Sequence, residues 1–421
     1  MQNSRLINCC RPICSIENNL GRRLVKVNFR KDKKIGLYPY VWLRDCSHDP
    51  KTYTISPAMT ARNLAMKTFD VNVEPEKVWV DEEANALKIK WPGNLTSTYC
   101  SDWLKMRNLN DQVQREWRKS VYLENTKPWN KEEIANRQIR FDHTDVMTND
   151  KTLHDFLETV CYDGIAILTN GPKNDNKVAE KLSDRFGFLH RTHFGNVFEV
   201  AVKMDASNMA YASDSELPFH TDFTSLQFPP QLQMLHMLHR AKEGGLSLFV
   251  DGFNIANIMK AEYPDHYNIL TKYQMEFIEE GYDVHEINGK KDNKFDYNMM
   301  ARHRIIQEDQ NGKVVKIQFG NAMRSFFYDV TDVEEVQKIY NAMKLFTQLC
   351  YDDRNIFDIQ LESGDTVLWA NTRLLHTRTA FTSYPEIPRT IIGCYYEWNI
   401  IKSKVRMLRN KLKLGKAQPV I

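Results

Sequence analysis

The stretch "PFHTDFTSLQFPPQLQMLHML" (218–238) places a His-Thr-Asp tripeptide just before an apolar run. The proline pair at 229 and 230 marks a loop, and residues 231–238 have the composition of a strand. We therefore expect His220 and Asp222 to lie at a strand edge, where residues i and i+2 of an extended segment project to the same face. One imidazole and one carboxylate directed at a common point supply two-thirds of a metal-binding triad.

The same tripeptide occurs in "RFDHTDVMTND" (140–150), but its surroundings differ. Asp145, Thr148 and Asn149 are residue types that cap helix starts. A helix follows, with one apolar face formed by Leu153, Phe156, Leu157 and Val160. This copy therefore indicates a capping and turn segment and not a metal site.

A third ligand is available in "GDTVLWANTRLLHTRTAF" (364–381), where His376 follows the apolar strand "TVLW". Two histidines and one carboxylate are the ligands of non-haem Fe(II) oxygenases, which keep further positions open for substrate and oxygen. Zinc hydrolases can use similar ligands, and a histidine among apolar neighbours is more often a hydrogen-bonded core residue. The three residues alone therefore leave the function open.

Arg389 lies thirteen positions beyond His376 and opens the apolar strand "RTIIGCYYEW" (389–398). A buried arginine is costly unless a carboxylate pairs with it. If iron chelates the keto acid end of 2-oxoglutarate, the distal carboxylate needs the bidentate fork that arginine presents. The formal charges of iron, Asp222, 2-oxoglutarate and Arg389 then cancel. An ordinary structural salt bridge is the alternative explanation for Arg389.

Composition excludes several classes of protein. Lys and Arg total 57 against 54 for Asp and Glu, and a net charge of +3 gives no electrostatic reason to expect nucleic acid or an anionic membrane as partner. No apolar run approaches the ~18 residues that span a bilayer. Eight scattered cysteines indicate reduced thiols, so we expect a cytoplasmic protein. A mitochondrial location is the alternative, because the first sixteen residues contain arginine and no acid.

The chain divides into three regions. Residues 18–108 contain short alternating strands such as "LVKVNF" and "ALKIKW" and predict a small β-rich N-terminal domain. Residues 109–145 are polar and helix-prone, as in a linker or arm. Residues 146–413 combine short strands with inserted helices, which favours a double-stranded β-helix (jelly roll) over a doubly wound sheet. The fold class is therefore mostly β with helices (α+β), and no nucleotide-binding glycine motif is present.

The sequence resembles the gamma-butyrobetaine and trimethyllysine dioxygenase family, within the taurine dioxygenase-type 2-oxoglutarate oxygenases. The resemblance runs from about residue 18 to 413 in matching order. It includes "LYPYVWLRD" (37–45), "RFGFLHRTHFG" (185–195), "DASNMAY" (205–211) and "GGLSLFVDGFN" (244–254). It implies hydroxylation of gamma-butyrobetaine to L-carnitine, coupled to decarboxylation of 2-oxoglutarate to succinate. Trimethyllysine or another betaine as substrate, or a non-catalytic betaine-binding relative, are the alternatives.

The resemblance also implies roles for individual residues. His220, Asp222 and His376 take the positions of the iron ligands, and Arg389 takes that of the 2-oxoglutarate carboxylate anchor. The implied cofactors are Fe(II) and 2-oxoglutarate, with ascorbate as the expected reductant. The partners are dioxygen and a small zwitterion, and the family forms homodimers. The C-terminal stretch "KSKVRMLRNKLKLGK" is either part of such a dimer or a solvated helix.

In this family an aromatic cage holds the trimethylammonium group of the substrate. A quaternary ammonium has no N–H to donate, so its selective attraction comes from cation–π contacts. The cage positions correspond to Phe194, Phe198, Tyr211 and Tyr395. Asn208 and Asn321 would face the substrate carboxylate.

The sequence departs from the family pattern at three places. Phe194 and Phe198 stand where the family has tyrosine and tryptophan, and Phe223 stands where it has a tyrosine hydroxyl near the substrate carboxylate. The family's N-terminal zinc ligands are absent, because their positions correspond to Ser47, Asp49, Thr52 and Leu95. Cys46 and His48 are displaced from that pattern, and four ligands at fixed spacing are required. We therefore expect no zinc.

Overall fold

The computed structural model describes residues 13–30, 33–56, 58–201, 214–287 and 290–415, and for 283–293 the backbone alone is considered. The chain forms two compact units that meet in sequence between Tyr122 and Leu123. This boundary falls inside the polar stretch 109–145, which contains two helices, Gln112–Val121 and Lys131–Ala135. None of the helices in the described part of the chain is long and apolar enough to cross a bilayer.

The N-terminal unit consists of small antiparallel sheets, and the order of strands within them is β1-β2-β3, β4-β5 and β6-β7-β8. Its strands are β1 (Ile13–Asn19), β2 (Leu24–Phe29), β3 (Ile35–Pro39), β4 (Tyr53–Ile55), β5 (Thr60–Arg62), β6 (Lys77–Asp81), β7 (Ala86–Trp91) and β8 (Leu95–Cys100). Its helices are α1 (Tyr40–Asp45), α2 (Ser101–Met106) and α3 (Gln112–Val121), with a 3₁₀ turn at Met66–Thr68.

The strands β2 and β7 form where "LVKVNF" and "ALKIKW" predict them, because their apolar residues alternate with polar ones. The apolar positions face inward and are completely buried at Val25, Val27, Leu87 and Ile89. They join the core of this unit, to which Tyr38, Trp91 and Trp103 contribute large side chains. Apolar packing therefore holds the two three-stranded sheets.

Hydroxyl groups bond to one another near the positions that the resemblance assigns to zinc ligands. The indole N–H of Trp91 donates to Ser97 Oγ at 2.7 Å, and Ser97 Oγ donates to Ser47 Oγ at 2.7 Å. The Thr52 hydroxyl donates to the carbonyl oxygen of Asp49 at 3.2 Å. Since Ser47 and Ser97 are both buried, these bonds satisfy polar groups that would otherwise be costly.

Cys46 and His48 have other contacts. Arg62 donates to Cys46 Sγ at 4.0 Å, and the His48 ring packs against Tyr53 and Trp103 with centroids 5.3 and 6.0 Å away. Burial lowers the pKa of His48 to about 4. Neither residue belongs to a group of three potential metal ligands among the described residues. A zinc-free N-terminal unit stays a prediction.

The larger unit is mixed α/β. Its helices are α4 (Lys131–Ala135), α5 (His143–Thr148), α6 (Asp150–Asp163), α7 (Val178–Phe186), α8 (Gly252–Glu262), α9 (Pro264–Lys272), α10 (Val333–Cys350) and α11 (Trp398–Leu412), with a 3₁₀ turn at Asn321–Met323. Its strands are β9 (Arg140–Asp142), β10 (Ile165–Thr169), β11 (Val197–Val200), β12 (Leu232–His239), β13 (Glu243–Gly244), β14 (Ser247–Asp251), β15 (Met275–Ile287), β16 (Lys290–His303), β17 (Ile306–Glu308), β18 (Val314–Ile317), β19 (Arg324–Tyr328), β20 (Ile356–Ile359), β21 (Thr366–Ala370), β22 (Leu374–Arg378), β23 (Phe381–Thr382) and β24 (Thr390–Tyr396).

A six-stranded sheet, in the order β11-β24-β12-β21-β10-β9, is the largest in this unit, and a three-stranded sheet has the order β20-β14-β22. The long hairpin β15–β16 pairs with β19 in a further sheet. The helix α6 packs its predicted apolar face into the core against the six-stranded sheet. It ends at Gly164, whose φ of +82° is the left-handed conformation that glycine adopts without strain.

The first His-Thr-Asp copy lies in α5, not in a turn. Asp142 caps this helix by accepting hydrogen bonds from the backbone N–H groups of Thr144 and Asp145 at 2.8 and 3.2 Å. Asn149 caps α6. Of the three expected capping residues, Asn149 caps a helix, whereas Asp145 and Thr148 lie inside α5, a helical turn that the sequence analysis did not predict.

The second copy is less extended than the sequence predicts. His220 forms a single antiparallel bridge with His376 on β22. The chain turns at Asp222, and Phe223 has a φ of +60°. His220 and Asp222 therefore converge through a turn held against β22, and not through the alternation of a strand.

Candidate active site

Three potential metal ligands meet in the larger unit. The Nε2 atoms of His220 and His376 lie 3.3 and 3.7 Å from Oδ1 of Asp222. One ligand atom from each residue lies within 4.8 Å of the others, and no other such group of three is found in the described part of the chain. Two imidazole nitrogens and one carboxylate oxygen on one side of a common point are the ligand set of a facial triad.

Backbone pairing fixes the two imidazoles. His220 N–H donates to the carbonyl of His376 at 3.1 Å, and His376 N–H donates to the carbonyl of His220 at 2.9 Å. The Nδ1 of His220 lies 2.8 Å from the carbonyl oxygen of Pro218. Because that oxygen can only accept, Nδ1 carries a proton. Nε2 therefore faces the centre of the triad, where it donates to Asp222 when protonated and offers its lone pair to a metal when deprotonated.

Asp222 is held by two neighbours. The Tyr395 hydroxyl donates to its Oδ2 at 2.7 Å, which leaves Oδ1 facing the histidines. Asn371 Oδ1 accepts from the Asp222 backbone N–H at 2.7 Å, and Asn371 Nδ2 donates to the carbonyls of Asp222 and Pro230 at 3.1 and 2.8 Å. These bonds stabilise the turn that contains the strained φ of Phe223.

The electrostatics of the triad favour a cation. Burial raises the pKa of the Asp222 carboxyl, but the hydrogen bonds from His220 and Tyr395 and the electrostatic interaction with the histidines prevail and hold it well below its usual range. Burial lowers the pKa of His376 to about 3, so this imidazole is neutral at pH 7. For His220 burial acts in the same direction, but the hydrogen bond to Asp222 outweighs it and the pKa is raised. An ionised carboxylate beside a neutral imidazole is the state that binds a metal.

The donor set fits Fe(II). It offers borderline nitrogen ligands and one hard oxygen, and it leaves one side of the common point to other ligands. The Pro218 carbonyl, which accepts from His220, and the Tyr395 hydroxyl, which donates to Asp222, orient these two ligands, as in metal sites generally. A divalent ion would also offset the charge of Asp222.

Arg389 lies in the same cavity and is 5% exposed. No carboxylate among the described residues forms an ion pair with it, and its Nε atom is buried without a hydrogen-bond partner among them. Burial lowers the pKa of Arg389 to about 10, and the nearby charge of Arg378 acts in the same direction. The structural salt bridge, the alternative explanation from sequence, therefore has no carboxylate partner in the part of the chain that the structure describes. A buried guanidinium in this state is suited to an anionic ligand.

Phe381 lies between the two arginines. The guanidinium carbons of Arg389 and Arg378 lie 4.9 and 4.6 Å from the centroid of its ring. The Arg378 side chain also donates to the carbonyls of Asp214 and Ser215 at 3.2 and 2.7 Å. The part of the cavity that these two arginines line is therefore positively charged.

The cavity has a volume of about 210 Å³ and is lined by the triad, Arg389 and mostly apolar side chains. Among the residues expected to contact substrate, Phe194, Phe198, Tyr395 and Asn321 line it. Asn208 and Tyr211 lie outside the described residues. The structure thus brings together every expected site residue that it describes.

Four rings, which we call the aromatic cluster, form a closed circuit beside Asp222. Phe194 and Phe198 have centroids 6.0 Å apart, and Phe198 and Tyr395 are 5.3 Å apart. Phe223 completes the circuit at 5.3 Å from Tyr395 and 5.8 Å from Phe194. Phe223, which the sequence marks only as a lost hydroxyl, therefore contributes a ring to this wall of the cavity.

Sequence reasoning missed several further residues at the site. Asn371 lies in the quoted "NTRLLH" and carried a signal, since a buried amide beside a predicted strand needs partners. The Tyr395 hydroxyl was missed because a cage role requires only its ring. Glu279 also lines the cavity, and no local pattern marks it, because the hairpin β15–β16 brings it there from a distant part of the chain.

A mixed α/β unit that gathers two histidines and a carboxylate beside a buried arginine defines an oxygenase-type enzyme. The chain belongs to the taurine catabolism dioxygenase TauD, TfdA family, whose model matches residues 124–395. It is 33% identical over 396 residues to Gamma-butyrobetaine dioxygenase of Pongo abelii, covering 94% of this chain and 97% of that protein. It is 26% identical over 375 residues to mitochondrial Trimethyllysine dioxygenase of Bos taurus, covering 88% and 82%. The solved PvcB protein of Pseudomonas aeruginosa aligns with a TM-score of 0.41 at 16% identity, covering 60% of this chain and 81% of that one.

Proposed function

We propose that the protein hydroxylates gamma-butyrobetaine to L-carnitine with Fe(II), 2-oxoglutarate and dioxygen. The observation that carries this proposal is the combination, in one cavity, of the triad, an arginine with no carboxylate partner among the described residues, and the aromatic cluster. The 33% identity with Gamma-butyrobetaine dioxygenase over nearly the whole chain supports the substrate. In this proposal the six-stranded sheet and the β20-β14-β22 sheet are the two faces of a jelly roll.

His220, Asp222 and His376 would hold the iron, and Arg389 would bind the distal carboxylate of 2-oxoglutarate. When bound, iron and 2-oxoglutarate supply the oxidising chemistry: one atom of dioxygen enters a substrate C–H bond as hydroxyl, the other enters succinate, and carbon dioxide leaves. Arg389 is suited to its part because a buried guanidinium gains most from a bidentate carboxylate.

The other residues orient the substrate. Phe194, Phe198 and Tyr395, with Tyr211, would offer π-faces to the trimethylammonium group, which cannot donate a hydrogen bond. Asn321, with Asn208, would bind the carboxylate at the opposite end of the substrate. A zwitterion fixed at both ends presents a single methylene to the reaction centre, and this restriction accounts for much of the rate acceleration in such sites. The apolar lining excludes water from it.

Hydroxylation of trimethyllysine is the second candidate. Phe223 supports it, because a hydrocarbon ring in the cavity offers no hydroxyl to the carboxylate of butyrobetaine. The 26% identity to Trimethyllysine dioxygenase extends over 88% of this chain. A betaine-binding protein without activity is a third possibility, and the intact triad argues against it.

The proposal is tested with purified protein, Fe(II), 2-oxoglutarate and ascorbate, with carnitine and succinate measured by mass spectrometry. We expect carnitine from butyrobetaine, in equal amount to the succinate that butyrobetaine induces. Succinate release driven by trimethyllysine and not by butyrobetaine would overturn the substrate. His220→Ala and Asp222→Ala should lose activity, and butyrobetaine binding without turnover in the wild type would indicate a binding protein. The homodimer and the cytoplasmic location belong to the same proposal.

A further inference from the structure

Glu279 is an acidic residue in the substrate cavity to which the proposed mechanism gives no role. Its side chain is partly buried and lines the cavity, and it accepts a hydrogen bond from the buried Ser225 hydroxyl at 2.8 Å. Among the described residues, Asp222 is the other acid that lines this cavity. Asp222, a metal ligand, and Glu279 therefore carry the negative charge of the cavity.

Strand pairing places Glu279 on the side of the aromatic cluster. In the hairpin β15–β16, Glu279 pairs with Met299 and Gly281 with Tyr297, so Glu279 and Tyr297 lie on the same face. The Tyr297 ring lies 4.7 Å from His193, whose own ring lies 4.1 Å from Phe194 and 5.3 Å from Phe223. Ser225, which binds Glu279, is two residues beyond Phe223. Glu279 therefore lies near Phe223, and both residues line the cavity.

The charged side chains of the cavity that do not bind the metal fall into two groups. Arg378 and Arg389 both contact the ring of Phe381, and Glu279 is bonded to Ser225, two residues beyond Phe223 of the aromatic cluster. A dianionic cosubstrate is attracted to the arginines. The fixed positive charge of a quaternary ammonium is attracted to Glu279.

Resting on the proposed function, we propose that Glu279 is a specificity-determining residue that selects substrates with a fixed positive charge. Three of the four rings in the cluster are phenylalanines, and their cation–π attraction is weaker than that of tryptophan. A carboxylate that lines the same cavity as these rings adds Coulomb attraction that needs no direct hydrogen bond, which suits a group without N–H donors. It also repels an anionic substrate that carries no positive charge to offset its carboxylate.

The electrostatic state of Glu279 agrees with this role. Burial raises the pKa of its carboxyl, Asp222 adds to the effect, and the Ser225 hydroxyl opposes it. The ionised form of this carboxylate is therefore destabilised by its surroundings. A bound cation offsets that destabilisation, so substrate charge and carboxylate charge stabilise each other.

The test compares two ligands that differ only in charge. Butyrobetaine and its carbon isostere 5,5-dimethylhexanoate have the same shape and carboxylate, but only the first carries a positive charge. Their dissociation constants are measured by calorimetry on the full chain with Zn(II) in place of iron and 2-oxoglutarate present, so that no turnover occurs. Glu279→Gln keeps the shape and the bond to Ser225 and removes the charge. Glu280→Gln, at the next position of β15 and exposed, is the matched control.

We expect E279Q to weaken butyrobetaine binding about tenfold and to leave the isostere unchanged or tighter. E280Q should change neither. Equal weakening of both ligands would assign Glu279 a merely structural role, and unchanged binding of both would remove it from recognition. If the wild type uses trimethyllysine instead, the proposed substrate fails. The same comparison, made with trimethyllysine and the isostere in which an uncharged tert-butyl group replaces its trimethylammonium group, then tests whether Glu279 selects the positive charge.

Discussion

At the scale of single residues, Tyr395 combines two tasks that a variant can separate. Its ring belongs to the aromatic cluster, and its hydroxyl donates to Asp222 Oδ2. We expect Tyr395→Phe to keep the ring and lower the affinity for a divalent metal about tenfold, because second-shell donors orient the ligands. Titration of the apo-protein with Co(II) measures this. Tyr396→Phe, whose ring faces the core instead, is the control, and equal affinities in both variants would refute the role of the hydroxyl.

The site residues that could be predicted from sequence are polar or charged side chains that rarely occur in a hydrophobic core. His220, Asp222, His376 and Arg389 are polar groups next to apolar strands, so each requires a partner, and their types indicate which. Asn371 and Glu279 act through neighbours that only the fold supplies. The turn at Phe223 was also beyond prediction, since a bulky residue with positive φ contradicts its own propensity and is held by Asn371 around it.

At the scale of elements, a buried ion pair joins the start of α8 to the turn before β22. Arg373 Nε and one terminal nitrogen donate to the two oxygens of Asp251 at 3.0 and 2.7 Å. The same guanidinium donates to the carbonyls of Tyr162 and Lys127 at 2.8 and 2.9 Å. Asp251 also accepts from the backbone N–H of Trp129 at 3.0 Å. This network fixes the segment that leads to His376.

We expect Arg373→Met to lower the free energy of unfolding by about 3–5 kcal/mol, because it leaves the fully buried Asp251 carboxylate without its cation. Urea denaturation measures the change. Arg354→Ala removes an ion pair in which Arg354 is 85% exposed, and it should cost less than about 1 kcal/mol. Similar losses in both variants would show that the buried pair contributes no more than a surface pair.

The strands with a clear apolar alternation, such as β2 and β7, were predictable because one face of each is buried. The helix α6 was predictable from its apolar face. The hairpin β15–β16 was not, because its sequence is rich in charged residues and several of its side chains, such as Tyr282 and Met300, are exposed. Its two strands pair in an antiparallel register that extends over many residues, and local hydrophobicity does not indicate this pairing.

At the scale of the whole molecule, metal removal should affect the two units differently. The N-terminal unit has an apolar core and the buried hydrogen bonds of Trp91, Ser97 and Ser47, and we expect it to hold no zinc. Chelation should therefore abolish activity and leave the thermal unfolding of this unit unchanged. Elemental analysis of the purified protein measures the metal directly. One equivalent of zinc that survives removal of iron would contradict the prediction.

Acid should destabilise the larger unit through His236, a fully buried residue on β12. Its Nε2 lies 2.9 Å from the carbonyl oxygen of Pro172 and its Nδ1 lies 2.9 Å from the Thr366 hydroxyl, so the neutral ring has both partners. Burial lowers the pKa of His236 to about 4. The pKa of this histidine in the unfolded chain is near 6.5, so at pH values between about 6.5 and 4 the unfolded chain binds a proton that the native protein does not. The free energy of unfolding therefore falls as the pH falls through this range, and His236 causes no loss of stability above about pH 6.5.

Glutamine at this position can keep both hydrogen bonds but does not titrate. We expect the loss of unfolding free energy between pH 7.5 and 4.5 to be smaller in His236→Gln than in the wild type by about 2–3 kcal/mol. Urea denaturation at both pH values measures each loss, so a general destabilisation of the variant cancels. His239→Gln, on the same strand and partly exposed, should follow the wild type. Parallel pH profiles for wild type and His236→Gln would mean that His236 does not resist protonation, and the acid sensitivity of the unit would then have to arise at other buried groups.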